Sequence, residues 1–286
     1  MKITFWGTRG SIPSPSNSEM ETSHFGGDTT CLSIESGDQL LILDAGSDIR
    51  SLGLHLMKSN YQKATLLFTH FHWDHIQGFP FFTPAFSPHW ELEFYSPAFD
   101  SHTPALETVL RGQQRTPMFP IGLNQMAARF SFHSMAPNHS FSLQSSTTTL
   151  HIETAPLSHP GGCMGYRIQE ESAAGSKIFV VATDTEHLEN GLNPELQKLA
   201  VGADLLLYDA QYTEEEYAKR KGWGHSTWRH GLEEARAAQV KHLMLFHHDP
   251  THADGFIQAM EKEAQQAGPE YGIQVSSARQ LESVIL

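Results

Sequence analysis

Apolar residues fall in short runs separated by turn formers, the pattern of a chain that alternates buried strands with amphipathic helices. The first run, Lys2–Trp6, predicts a strand that ends at Gly7-Thr8-Arg9-Gly10. Residues 11–27, rich in Ser, Pro and Gly, read as a loop crossing a surface. Cys31–Glu35 and Leu40–Leu43 predict a hairpin turned at Gly37-Asp38. Asp48–Met57 has helical spacing, and Ala64–Thr69 suits a strand buried on both faces. Further strands are expected near Thr149–Glu153, Tyr166–Gln169, Ile178–Thr183, Leu205–Tyr208 and Leu243–Phe246. Helices are expected at Asn193–Ala200, Thr227–Ala238 and Asp254–Ala267. Two strand-rich halves, each followed by helices, predict an α/β fold of paired sheets with helices outside. Residues 76–150 break the rhythm with Pro-separated aromatic pieces. They predict one strand at Leu92–Tyr95, one short helix at Pro104–Arg111, and an elaboration within a single domain spanning 1–286.

Composition narrows the partners. The 286 residues carry 19 Lys+Arg against 32 Asp+Glu, a net charge of −13. An acidic surface repels polyanions, which argues against a broad nucleic-acid face and makes long nucleic acid an unfavoured partner. No run of about 18 apolar residues suits a bilayer, so no membrane partner is expected. The start of the chain reads as a strand rather than a signal segment. The two cysteines, Cys31 and Cys163, read as buried free thiols in a reducing cytoplasm. The unusual number is 18 His.

Those histidines concentrate in Thr69-His70-Phe71-His72-Trp73-Asp74-His75, directly after an apolar strand. In an extended stretch, residues two apart face the same way, so His70 and His72 can grip one ion. Asp74 and His75, where the chain turns into a helix, can point toward a second. Such a density of ligands is costly to bury unless a cation satisfies it.

The segment resembles the H-x-H-x-D-H signature of the metallo-β-lactamase-fold hydrolases, and companion motifs follow in order. Asp44 in Leu43-Asp44-Ala45-Gly46 is similar to that family's first motif, a structural carboxylate beneath the site. His159, Asp184 and His247 match the later motifs. The resemblance implies a four-layer αβ/βα sandwich and a site for two divalent ions, Zn or alternatively Mn. It implies that His70, His72 and His159 hold one ion, that Asp74, His75 and His247 hold the other, and that Asp184 bridges them. Five neutral imidazoles and two carboxylates supply about −2 against +4, leaving a locally positive site for an anionic substrate. His248 competes with His247; strand alternation with Leu243 and Leu245 favours His247.

Second motifs resemble the phosphodiesterase branch, which includes tRNase Z and enzymes that open cyclic phosphates and cyclic nucleotides. Gly224-His225-Ser226-Thr227 is similar to the His-Ser-Thr loop of tRNase Z, and Tyr208-Asp209-Ala210-Gln211 stands at that family's His-Glu-Ala-Thr motif, with Asp209 in place of the usual Glu. The resemblance implies a catalytic set of Asp74, His225 and Asp209, with His225 giving a proton to the leaving alkoxide and Asp209 holding its tautomer. Ser226 and Thr227, which can cap the next helix, and Gly161 and Gly162 are the candidate substrate contacts. Arg9, Arg115 and Arg167 are candidate anion clamps; Phe79, Phe81, Phe82, Phe86, Trp90 and Phe119 are candidate pocket walls, although core is the favoured reading for most of these rings. Only 25 positions separate His159 from Asp184, where bacterial tRNase Z enzymes carry a tRNA-gripping arm. The expectation is therefore hydrolysis of a small anionic phosphodiester such as a cyclic nucleotide or cyclic phosphate. A tRNA 3′-end endonuclease stands second, and a carboxyl-ester, lactone or thioester hydrolase third. The resemblance also implies a homodimer.

Overall fold

The computed structural model describes residues 1–189 and 191–286. In chain order the first half builds β1 (Lys2–Gly7), β2 (Cys31–Ser36), β3 (Gln39–Leu43), α1 (Ile49–Leu56), β4 (Lys63–Leu67), α2 (Trp73–Ile76), β5 (Glu91–Pro97), α3 (Leu106–Gln113) and β6 (Arg129–Met135). The second half builds β7 (Ser140–Gln144), β8 (Thr148–Leu157), β9 (Cys163–Ser172), β10 (Gly175–Ala182), α4 (Pro194–Ala200), β11 (Leu205–Asp209) and α5 (Glu214–Tyr217). It closes with α6 (Trp228–Ala237), β12 (His242–Phe246), α7 (Asp254–Ala267), β13 (Gln274–Ser277) and β14 (Ser283–Ile285).

Two seven-stranded mixed sheets result, ordered β14-β1-β2-β3-β4-β5-β6 and β13-β12-β11-β10-β9-β8-β7. Each changes from antiparallel to parallel midway. In the first, β1, β2 and β3 pair antiparallel and β3 to β6 parallel. In the second, β8, β9 and β10 pair antiparallel and β10 to β13 parallel. The carboxyl ends of β3, β4, β10, β11 and β12 all open toward one groove, where α/β sheets commonly place their ligands.

The central strands are apolar at consecutive positions because both faces are covered. Leu41 and Leu43 of β3 meet Leu205 and Leu207 of β11 in the core between the sheets. Leu40 and Ile42 turn outward against α1, and Leu206 and Tyr208 outward against α6. Helix, sheet, sheet and helix thus form four layers. No helix among the described residues is long and apolar enough to cross a membrane.

The expected central elements are present, with ends shifted by at most four residues. The elements not foreseen lie at edges. β6 alternates Phe130 and Phe132 with Ser and His, and only its aromatic face packs on the core. β7 does the same with Phe141 and Leu143. β14 returns from the end of the chain to pair with β1, a partner that local pattern cannot supply. The aromatic residues of 76–150 mostly serve the core: Phe79, Phe82 and Trp90 are buried beneath the first sheet's outer face. Phe81 and Phe119 pack edge to face on each other at 5.5 Å, so this group does not wall a pocket at the site.

Candidate metal centre and proton donor

Three residues at strand ends share an uncommon backbone. Asp44, Asp184 and His247 each take a left-handed conformation, with φ of 58°, 53° and 59°. Non-glycine residues accept that cost where the surrounding structure holds them, often at functional sites. In β12, Leu243 and Leu245 face the helices while Met244 and Phe246 face the other sheet, so simple alternation would carry His247 toward the helices. The left-handed turn instead brings its Nε2 to 3.2 Å from Asp74 Oδ2 and 3.4 Å from Asp184 Oδ2. His247 therefore joins the cluster, but not for the reason alternation offered. His248 turns into a buried slot against Phe25, 3.2 Å from the Ala278 carbonyl.

The seven side chains converge as two groups. Ligand atoms of His70, His72 and His159 lie within 4.8 Å of one another, as do those of Asp74, His75, Asp184 and His247. Asp184 faces both groups. Its Oδ1 is 3.7 Å from His70 Nε2 and 3.8 Å from His159 Nε2, while its Oδ2 is 3.2 Å from His75 Nε2.

Four of the five imidazoles have the far nitrogen anchored, which aims the near nitrogen into the cluster; the exception is His72, whose Nδ1 lies 3.0 Å from His159 Nε2. His75 Nδ1 donates to Asp44 Oδ2 at 2.7 Å, and Asp44 also accepts the Thr69 amide and hydroxyl, both at 2.8 Å. His70 Nδ1 lies 3.0 Å from the Thr69 hydroxyl. His159 Nδ1 donates to the Gly224 carbonyl at 2.8 Å, and His247 Nδ1 to Gln211 Oε1 at 2.9 Å. Two glycines make this closeness possible. A Cβ at Gly10 would lie 2.3 Å from the His247 ring, and one at Gly224 would lie 2.2 Å from His159 Nδ1.

The donor set fits divalent cations. Among the described residues, Nε2 of His70 and Nε2 of His75 are buried without a hydrogen-bond partner, although both point at Asp184. Burial holds His70, His72 and His159 below the ordinary histidine range, so they are neutral donors. Burial also opposes the charge on Asp74 and Asp184, but the neighbouring histidines outweigh it and keep both carboxyls well below their usual range. His75 runs the other way: against its burial, the charges of Asp184, Asp74 and Asp44 hold it well above the ordinary histidine range, so a cation would displace its proton. The set that results, neutral imidazoles around ionised carboxylates, is what Zn and similar ions take. The residues that would hold one ion are His70, His72 and His159, those for the other Asp74, His75 and His247, with Asp184 between.

At the rim sits His225, about nine-tenths buried, its ring 5.2 Å from that of His159 and 4.9 Å from that of His247. Its Nδ1 donates to Asp209 Oδ2 at 2.8 Å, and the other oxygen of Asp209 accepts the Ser226 amide. Burial disfavours the imidazolium, but the Asp209 charge and hydrogen bond override it and push His225 up to about 9, with Asp184 and Asp74 assisting.

Ser226 and Thr227 are brought beside His225 but their hydroxyls turn to the fold. Ser226 bonds the Tyr208 hydroxyl at 2.9 Å, and Thr227 caps α6 by accepting the His230 amide. Gly161 and Gly162, at φ of 83° and 85°, form the turn after His159 and line a cavity beside His70 and His72. Arg9 is fully buried and bonds the carbonyls of Gly26, Asp249 and His252, and Arg167 bonds those of Leu199 and Val201; neither clamps an anion. Arg115 is exposed and outside that cavity.

Sequence reasoning missed several supports. Gln211 orients His247, and the Ser11 amide donates to Asp74 Oδ2 at 2.7 Å. Glu186 accepts the amides of Gly222 and Gly224, tying the His225 loop to the strand end that carries Asp184. Only Gln211 carried a signal, its place in the Tyr208–Gln211 motif.

The family model of the beta-lactamase superfamily domain matches residues 40–248. A Ribonuclease Z of Haloarcula marismortui is 23% identical over 288 residues, covering 86% of each chain. Among solved structures, human tRNase Z, short form, superposes with a TM-score of 0.67 at 18% identity, over 100% of this chain and 99% of that one. A diphosphatase from the PhnP family gives a TM-score of 0.67 at 17% identity, over 100% and 97%.

Proposed function

The chain belongs to the beta-lactamase superfamily, and from that membership we propose that this metal-dependent hydrolase cleaves phosphodiester bonds. The observation that carries the reading is the His225–Asp209 pair at the rim of the ligand cluster. A phosphodiester expels an alkoxide, which needs a proton as it leaves. His225, charged at neutral pH and held in one orientation, is built to give it.

Two divalent ions in the cluster, Zn or Mn, would supply charge neutralisation for the phosphate and a water acidified toward neutral pH. The chain does the rest. Asp44, Gln211 and the Gly224 carbonyl keep the imidazole lone pairs aimed inward, and the Ser11 amide fixes Asp74. Asp209 keeps the His225 proton on Nδ1, so the proton available for transfer is the one on Nε2.

The acid role sets a pH dependence. His225 must be protonated, so kcat on a poor leaving group falls as pH rises through the His225 pKa, which is about 9 with Asp184 and Asp74 uncompensated and lower once cations neutralise them. Replacing Asp209 with Asn removes the largest influence holding the imidazolium, and burial then drives the proton off earlier. Asp209→Asn should shift the alkaline limb of the kcat profile down by more than a pH unit; an unmoved limb would count against the pair.

The relatives bear on the substrate. The curated relatives reported as Ribonuclease Z support an RNA phosphodiester, which brings RNA cleavage at least level with the small cyclic phosphodiester ranked first on sequence grounds. Against a grip on the tRNA elbow, residues between His159 and Asp184 are taken up by a short turn and the β9–β10 hairpin, and the chain is acidic. The test is a panel with metal-loaded protein: a tRNA precursor with a 3′ trailer, 2′,3′-cyclic nucleotides, bis(p-nitrophenyl) phosphate, a lactone and a thioester. Diester cleavage is expected, and trailer removal would select RNA. Lactone or thioester turnover without any diester cleavage would sink the reading.

A further inference from the structure

Beside the ligand cluster, on the side of His70 and His72, lies a cavity of about 400 Å³. Its walls include Phe71, Phe99, Pro97, Pro104 and Pro160. The Phe99 ring lies against Gly162, where a Cβ would come within 2.6 Å of it, so glycine there gives the ring its place. The loop that carries Phe99 is pinned: the Thr103 hydroxyl accepts the amides of Phe99 and Asp100, and Ala98 donates to the Met135 carbonyl. Among the described residues no Lys or Arg lines the cavity, and the one carboxylate lining it is Asp100. The space therefore suits a flat, uncharged group attached to the reacting phosphate and disfavours a further phosphate.

Its position relative to the proton donor gives a direction. His225 packs on His159 and His247, and it does not line this cavity, which starts at His70 and His72. Resting on the phosphodiesterase reading, we propose that Phe99 and Gly162 form a subsite for the nucleoside that stays on the phosphate, while the alcohol facing His225 departs. In that step water adds to phosphorus and the P–O bond nearest His225 breaks. The departing oxygen takes the His225 proton, and the proton lost by the water replaces it through solvent. The base stacks on the Phe99 ring, a contact that tolerates any base because each has a π-face.

The test compares two diesters with the same leaving group, thymidine 5′-(p-nitrophenyl phosphate) and methyl p-nitrophenyl phosphate, on the metal-loaded protein. The expected kcat/KM ratio favours the thymidine diester by about tenfold or more. Phe99→Ala and the milder Phe99→Leu should collapse that ratio toward one, chiefly through KM. Because each variant is measured on both diesters, a general folding defect cancels from the ratio. Equal efficiency of the two diesters in the unaltered protein, or a ratio that survives both substitutions, overturns this assignment alone. Failure to cleave either diester overturns the phosphodiesterase reading and the subsite with it.

Discussion

His225→Ala is expected to lower kcat on a diester with an unactivated alkoxide leaving group by about 10²–10⁴-fold, the usual worth of a positioned general acid. On p-nitrophenyl diesters the loss should be small, because p-nitrophenolate leaves without a proton. The contrast follows from geometry. The imidazole is held at 2.8 Å by Asp209, and its ring lies 5.2 Å from that of His159 and 4.9 Å from that of His247, beside the cluster. A His225 that only shaped the loop would cost both substrates alike when removed. Steady-state kinetics on the paired substrates decides it, and equal losses would remove His225 from the chemistry.

Stripping divalent ions with a chelator should abolish turnover, by about 10³-fold or more, since such ions supply several kcal/mol of transition-state stabilisation. It should also lower the melting temperature. A ligand bound at 1,000 times its Kd stabilises the folded state by about 4 kcal/mol, which for a chain of this size is on the order of 10 °C. The physical cause is visible in the buried Nε2 atoms of His70 and His75, which have no hydrogen-bond partner among the described residues, and in the ionised Asp74 and Asp184 beside them. Readdition of Zn or Mn should restore both properties. Asp184→Ala, which removes the carboxylate facing both groups, should prevent the restoration. Metal content measured by elemental analysis should fall from about two ions per chain. Full activity and an unchanged melting temperature after exhaustive chelation would refute the metal role.

Much of this candidate site was legible because the side chains that could hold metal sit at strand ends, four of them in one short run. His70, His72, Asp74 and His75 follow a buried strand within six positions, so proximity in sequence already implies proximity in space. His159, Asp184 and His247 were reached only through family resemblance, since no local pattern links residues so far apart. The supports were mostly invisible. Glu186 and the Ser11 amide look like ordinary loop groups until the loops are folded against the strands they brace. The aromatic residues of 76–150 could be read as core or as pocket walls, with core favoured for most; Phe79, Phe82 and Trp90 are core, and hydrophobicity alone does not say which rings would be which.

By itself the sequence determined which strands are buried on two faces, where the ligand-bearing turns fall, and that these turns demand positive charge. Periodicity and residue chemistry are local, and those properties are local too. Only the tertiary structure decided which of His247 and His248 enters the cluster, because a left-handed turn overrides strand alternation. The pairing of β14 with β1 and the placement of Phe99 over Gly162 were likewise settled by long-range contact. Those outcomes depend on which surfaces meet after folding, and no window of the chain contains both partners.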